Sequence, residues 1–166
     1  MTSHQILYIL FFAVIIAVEG HKRGGRIPPN ERAPYLRGLN TTITDEYHKI
    51  VGNPNLTKKQ FRDAVDKFAL TLPPENKKLY SEWKSRHESK AKQLTDEFHT
   101  KIASLSAEAQ NLAKQMKSIH DNLDITRAAE KEQIHKIRSS ASESVRKELK
   151  GILPFHGRHG KKERKN

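Results

Sequence analysis

The sequence predicts an all-α fold, a helical bundle of about five to six helices that can also be drawn as two helix-loop-helix units joined by a long helix. Three observations carry this expectation. Apolar residues recur at three- and four-residue spacing through the centre of the chain, capping residues head each recurrence, and no segment alternates with the period of two that a half-buried strand requires. With 166 residues and 35% hydrophobic content the chain supports one domain or two small lobes.

In chain order, the first element is the apolar run Ile6 to Val18, which holds no charge. Its length suits a secretory signal peptide and falls short of a membrane span. Val18-Glu19-Gly20 offers small residues at the cleavage positions, so residues 1–20 are expected to be removed and the mature chain to begin near His21. No later run approaches a spanning length, which predicts a secreted, extracellular protein that does not cross a membrane.

Residues 21–43 are expected to form a flexible basic arm, since Pro28, Pro29 and Pro34 interrupt a stretch without period. The helical domain is expected over 44–151. Thr44 can cap a short helix over Asp45 to Val51, with Gly52 as its stop. After Asn53-Pro54-Asn55-Leu56, a capping box of Thr57 and Gln60 opens a helix whose Phe61, Val65, Phe68 and Leu72 lie on one face until Pro73-Pro74. The next helix starts near Glu75 and sets Leu79, Tyr80, Trp83, Leu94, Phe98, Ile102 and Leu105 along a stripe interrupted by a polar middle. That middle suits either a connector between two lobes or an exposed stretch of a single bundle, and the pattern leans towards the bundle. Ser106 can cap Ala107 to Ile119, with Ala109, Leu112, Ala113, Met116 and Ile119 inward. A further helix runs from about Thr126 with Ala129, Ile134 and Ile137, and a second capping box, Ser140 to Glu143, leads to Val145 and Leu149. Residues 152–166 read as a disordered basic tail.

Charge and composition narrow the function. There are 31 Lys and Arg against 19 Asp and Glu, a formal net charge of +12, so acidic surfaces are the natural partners by charge; no nucleic-acid partner is expected. The absence of cysteine excludes disulfides, thiolate chemistry and the usual structural zinc sites. No Gly-rich phosphate loop, H-E-x-x-H or G-x-S-x-G motif occurs, which predicts a protein that is not an enzyme. The closest His pair, His156 and His159, lies in the tail, while His87, His99 and His120 are expected on solvated faces. Tyr80 and Trp83 with Phe61 and Phe68 are expected in the core, with a small apolar ligand pocket on that aromatic face as the alternative.

The two loops share a plan. Ile50 to Thr57 and Ser118 to Thr126 each run from an aliphatic residue through Asn or Asp and a polar turn to an aliphatic residue and Thr, which fits either a duplicated unit or convergent capping. With Ile50 to Lys58, Ser104 to Gln110, Asp121 to Thr126 and Val145 to Leu149 in this order, the sequence resembles the SXP/RAL-type family of secreted nematode antigens, whose shared segment is an anisakis-allergen-like cation-binding domain. The resemblance covers roughly Asp45 to Lys150. It implies an all-helical, secreted, non-enzymatic protein with an extracellular partner in host or parasite and a capacity for divalent cations, magnesium rather than calcium.

The residues give that cation only a partial site. Asp121 and Asp124, with Asn122 and Glu130 or Glu132, supply oxygens for weak magnesium binding. Counted as a calcium loop from Asp121, the third, fifth and sixth positions are Leu123, Ile125 and Thr126, and only Glu132 at the twelfth fits. The first loop has Asn53, Asn55 and Thr57 but no carboxylate. The same residues equally serve as helix caps and turn formers. Two sequons, at Asn40 and Asn55, would meet the glycosylation machinery during export. Arg158, Lys161, Lys162, Arg164 and Lys165 in the tail, with Lys22, Arg23 and Arg26, offer a rival function, the binding of polyanions or anionic surfaces.

Overall fold

The computed structural model describes residues 33–150 and 152. The expected signal peptide, most of the expected arm and the tail cations Arg158, Lys161, Lys162, Arg164 and Lys165 lie outside the described residues. A 3-10 turn, Pro34–Leu36, precedes α1 (Thr41–Val51), α2 (Lys58–Ala69), α3 (Pro74–Ile102), α4 (Ala107–Asp121), α5 (Arg127–Ser140) and α6 (Glu143–Leu149). The protein is all-α. Among the described residues the one departure is an isolated antiparallel bridge between Thr57 and Thr126.

Side-chain caps set the boundaries. Thr57 and Gln60 close the expected capping box, with Gln60 N–H on Thr57 Oγ1 at 3.1 Å and Thr57 N–H on Gln60 Oε1 at 2.9 Å. Ser106 and Thr126 cap α4 and α5 through the N–H groups of Ala109 and Ala129, at 3.3 and 3.1 Å. Two starts differ from expectation. Asn40, not Thr44, caps α1, its Oδ1 accepting from Ile43 N–H at 3.0 Å, because the chain turns at Gly38 with φ of 72° and enters the helix at once. Ser142, not Ser140, caps α6, since the Ser140 hydroxyl is already bonded to Ile137 O at 2.9 Å in the last turn of α5.

The core has two parts. Phe61, Val65, Phe68, Ala69, Leu72, Tyr80 and Trp83 form the first, and Phe98, Ile102, Ala109, Ala113, Met116, Ile134, Ala141, Val145 and Leu149 the second. Between Trp83 and Phe98 only Ala91 is buried, while Ser85, Arg86, Ser89, Lys92 and Gln93 are exposed. The polar middle of α3 thus links two helix-loop-helix units, each with its own apolar centre.

Residues 33–39, expected within the flexible arm, belong to the first core. Tyr35 is fully buried, edge-on to Tyr47, Tyr80 and Trp83 at centroid distances of 5.9, 5.0 and 5.2 Å. The Asn76 side-chain amide donates to Tyr35 O at 2.9 Å and Arg37 O at 3.0 Å, so the segment's backbone polar groups are bonded as well. The aromatic face considered for a small apolar ligand is filled by the chain itself.

Candidate functional site

The two loops meet. Beside the Thr57–Thr126 bridge, Lys58 N–H donates to Ile125 O at 3.0 Å and Lys59 N–H to Leu123 O at 2.9 Å. The turns are built alike: Asn53 Oδ1 accepts from Asn55 N–H, and Asn122 Oδ1 from Asp124 N–H, both at 3.0 Å. Asn53, Thr57 and Lys58 therefore correspond to Asn122, Thr126 and Arg127. The first residue of α2 crosses to the fourth of α5, Lys58 to Glu130, and the first of α5 to the fourth of α2, Arg127 to the ring of Phe61, whose centroid lies 4.1 Å from the guanidinium carbon.

Lys58 is the centre of this junction, only 3% exposed. Its ammonium donates to His120 O at 2.6 Å and Ile119 O at 3.3 Å, and lies 2.8 Å from Glu130 Oε2. The two carbonyls belong to the last turn of α4, where the helix dipole presents negative charge to a cation. Glu130 Oε1 accepts from His120 Nδ1 at 2.6 Å. Burial alone would raise the Glu130 carboxyl, but the His120 hydrogen bond and charge, together with the Lys58 ammonium, outweigh it and hold the group below its usual range. His120, expected on a solvated face, is buried at 7% exposure because it bridges α4 to this carboxylate.

The expected metal ligands are engaged separately. Asp121 Oδ2 accepts from Lys117 Nζ at 2.6 Å, one turn back on α4, and its Oδ1 is enclosed with no hydrogen-bond partner among the described residues. Asp124 is exposed on its turn. Glu132 is exposed and paired with Lys136 at 2.7 Å, since two residues advance a helix by roughly 200° and Glu130 already faces inward. Among the described residues no three His, Asp or Glu side chains come together in a group that could hold a metal ion. The oxygens that do converge, around Lys58, meet an ammonium. Asn40 and Asn55 are both exposed, but each sequon takes part in a helix start: Asn40 caps α1, and Thr57 of the second sequon caps α2.

A second junction lies at the far end of α4. Glu148 of α6 accepts from Ser106 N–H at 2.8 Å and from the Ser106 hydroxyl at 3.0 Å, placing a carboxylate at the N-terminus of α4. The four stretches that carry the family resemblance thus meet in two pairs, the first with the third through the loops and the second with the fourth through Ser106 and Glu148.

A family model described as "SXP/RAL-2 family protein Ani s 5-like, metal-binding domain" matches residues 3–156. The chain belongs to the SXP/RAL-2 family. The match extends well beyond Asp45 to Lys150 and reaches into both terminal segments. No curated protein and no solved structure matches the chain. For this SXP/RAL-2 protein the metal-binding description of the family finds no matching group among the described side chains, because Asp121, Asp124 and Glu132 do not converge and the oxygens that do converge hold the Lys58 ammonium. No helix of the described residues is long and apolar enough to cross a membrane.

Proposed function

We propose that this chain is a secreted, non-enzymatic helical protein of the nematode antigen type that works by binding a partner outside the cell. The observation that carries the reading is the family match over residues 3–156, which takes in the uncharged run Ile6 to Val18. The buried polar groups of the loop junction support it, because Lys58, His120 and Glu130 are spent on one another and on backbone carbonyls. Expression in a eukaryotic secretory host tests it. The protein should appear in the medium with an N-terminus near His21, and an extracellular product that retains Met1 would overturn the reading. Glycans at Asn40 and Asn55 would be read from the same material by mass before and after amidase treatment.

Magnesium at Asp121, Asp124 and Glu132 is the finer expectation that the geometry favours least. Its test is a melting curve in magnesium chloride against sodium chloride of equal ionic strength, with Asp121→Asn/Asp124→Asn beside the parent. A magnesium-specific rise that the double variant loses would restore the site.

Polyanion binding is the second reading, and one surface favours it. Arg138, Arg146, Lys147 and Lys150, with Glu143, line an open cleft between α5 and α6, adjoining the basic tail in sequence. Retention on heparin should fall in Arg146→Ala/Lys147→Ala and fall further when residues 153–166 are removed. Equal elution of all three proteins would discard the reading.

A further inference from the structure

The family's metal-binding description finds no matching group of side chains among the described residues, and the oxygens that do converge do so on one atom. At the junction of the two units three oxygens from α4 and α5, Ile119 O, His120 O and Glu130 Oε2, surround the Lys58 ammonium at 3.3, 2.6 and 2.8 Å. An ammonium has three N–H groups; here two carbonyls accept hydrogen bonds from it and the carboxylate is at ion-pair distance. Two neutral carbonyls from the last turn of α4 and one carboxylate from the first turn of α5 make an oxygen nest of the kind that suits a small hard cation.

We propose that this nest is a cation site whose cation is the protein's own Lys58, so that an internal ammonium takes the part of a bound cation in holding the two helix-loop-helix units together. The arrangement explains why a lysine is almost fully buried. A charge taken out of water is tolerated only when paired and hydrogen-bonded, and Lys58 is both. It also explains why the partner Glu130, unlike Glu132 two residues on, faces inward towards α4 and α2. The pseudo-symmetric position, Arg127, covers an aromatic ring, so the two units hold one oxygen nest between them and one ring.

The site's ligand class follows directly: with the side chain cut back to Ala, the space left has the shape of n-propylammonium, a primary ammonium on a three-carbon stem. Lys58→Ala is expected to lose stability, and n-propylammonium chloride at about 100 mM to raise its melting temperature by roughly 4 °C more than tetramethylammonium chloride at equal ionic strength, as for a ligand of about 20 mM affinity. Tetramethylammonium carries the charge but has no N–H to donate. Unaltered protein should respond equally to the two salts. If Lys58→Ala is unfolded at room temperature, the same amine should raise its folded-to-unfolded ratio, read by far-ultraviolet circular dichroism, about sixfold over tetramethylammonium, by the same mass action. Lys58→Met, which keeps the stem, should also be destabilised, and adding Glu130→Gln to it should recover part of the loss because the buried carboxylate no longer lacks a cation. Equal responses to both ammonium salts, or Lys58→Met as stable as the parent, would overturn the proposal. None of these readouts depends on export or on magnesium at Asp121 and Asp124, so the failure of either leaves this test intact.

Discussion

Replacing Tyr35 by Ala removes the side chain that holds residues 33–39 in the first core, and its size can be worked from contacts. The residue is fully buried, its ring meets three others edge-on, and its hydroxyl donates to Tyr47 at 3.1 Å. Deleting a buried aromatic ring costs about 3 to 5 kcal/mol through lost transfer energy and the cavity left behind. The hydroxyl contributes about 1 kcal/mol of net hydrogen-bond energy, which Tyr35→Phe isolates. Trp83 is the sole tryptophan and lies 5.2 Å from the Tyr35 ring, so its fluorescence during urea denaturation reports on this packing. The expected order is a loss of about 4 kcal/mol for Tyr35→Ala against about 1 kcal/mol for Tyr35→Phe, at an unchanged denaturant slope. Losses below about 1 kcal/mol for Tyr35→Ala, with Trp83 emission as in the parent, would mean that the segment does not dock and that the aromatic face stands open.

Other consequences are open to measurement. Phe68→Ala, at a position 5% exposed in the same core, should cost about 3 to 5 kcal/mol in the same assay, and a loss under about 1 kcal/mol would refute its inward orientation. Because the folded Glu130 carboxyl is held below its unfolded value, its contribution is full above the ordinary glutamate range and is lost as pH falls through the depressed folded value. Glu130→Gln should therefore flatten the acid limb of a stability-against-pH curve, and an unchanged limb would remove this carboxylate from the junction. Burial against Trp83, 4.1 Å away between ring centroids, holds the His87 imidazole below its usual value, so at pH 6 it should remain more neutral than a free histidine. An NMR titration of its ring proton with a midpoint at or above that of free histidine would contradict this.

What could be read from the sequence was what is decided locally. The box of Thr57 and Gln60, the serine and threonine before α4 and α5, and the stripe Phe61 to Leu72 are settled within one or two turns, so their spacing is enough. The start of α1 was harder because Asn40 and Thr44 are both competent caps, and the turn at Gly38 decides between them. The junction was hidden for a different reason. A lysine at the first position of an amphipathic helix looks like a solvated residue, and only a partner about sixty positions away makes its burial tolerable. The likeness of the two loops was the one available signal, and it pointed to the right place but to Asp121 and Asp124, side chains that end up beside Lys117 and on an exposed turn. Tyr35 was missed on the same ground, since the proline-rich spacing around it suggests an arm and the groups that receive it, Asn76, Tyr80 and Trp83, come some forty residues later.

The separation of the Lys58 contacts, 61 and 62 residues along the chain, also bears on the order in which the molecule is assembled. The longest bonds named within either unit, Asn76 to Tyr35 and Ser106 to Glu148, span 41 and 42 residues, whereas the loop junction needs both units formed and the whole of α3 spanned before any of its bonds can be made. Contacts of long sequence separation carry the larger loop-closure entropy and form late. Substitutions at Lys58 and Glu130 therefore act mainly on the unfolding rate, and those in the two apolar centres reach into the folding rate as well. The junction is in this sense a latch, fastened after its two halves exist and released before either comes apart.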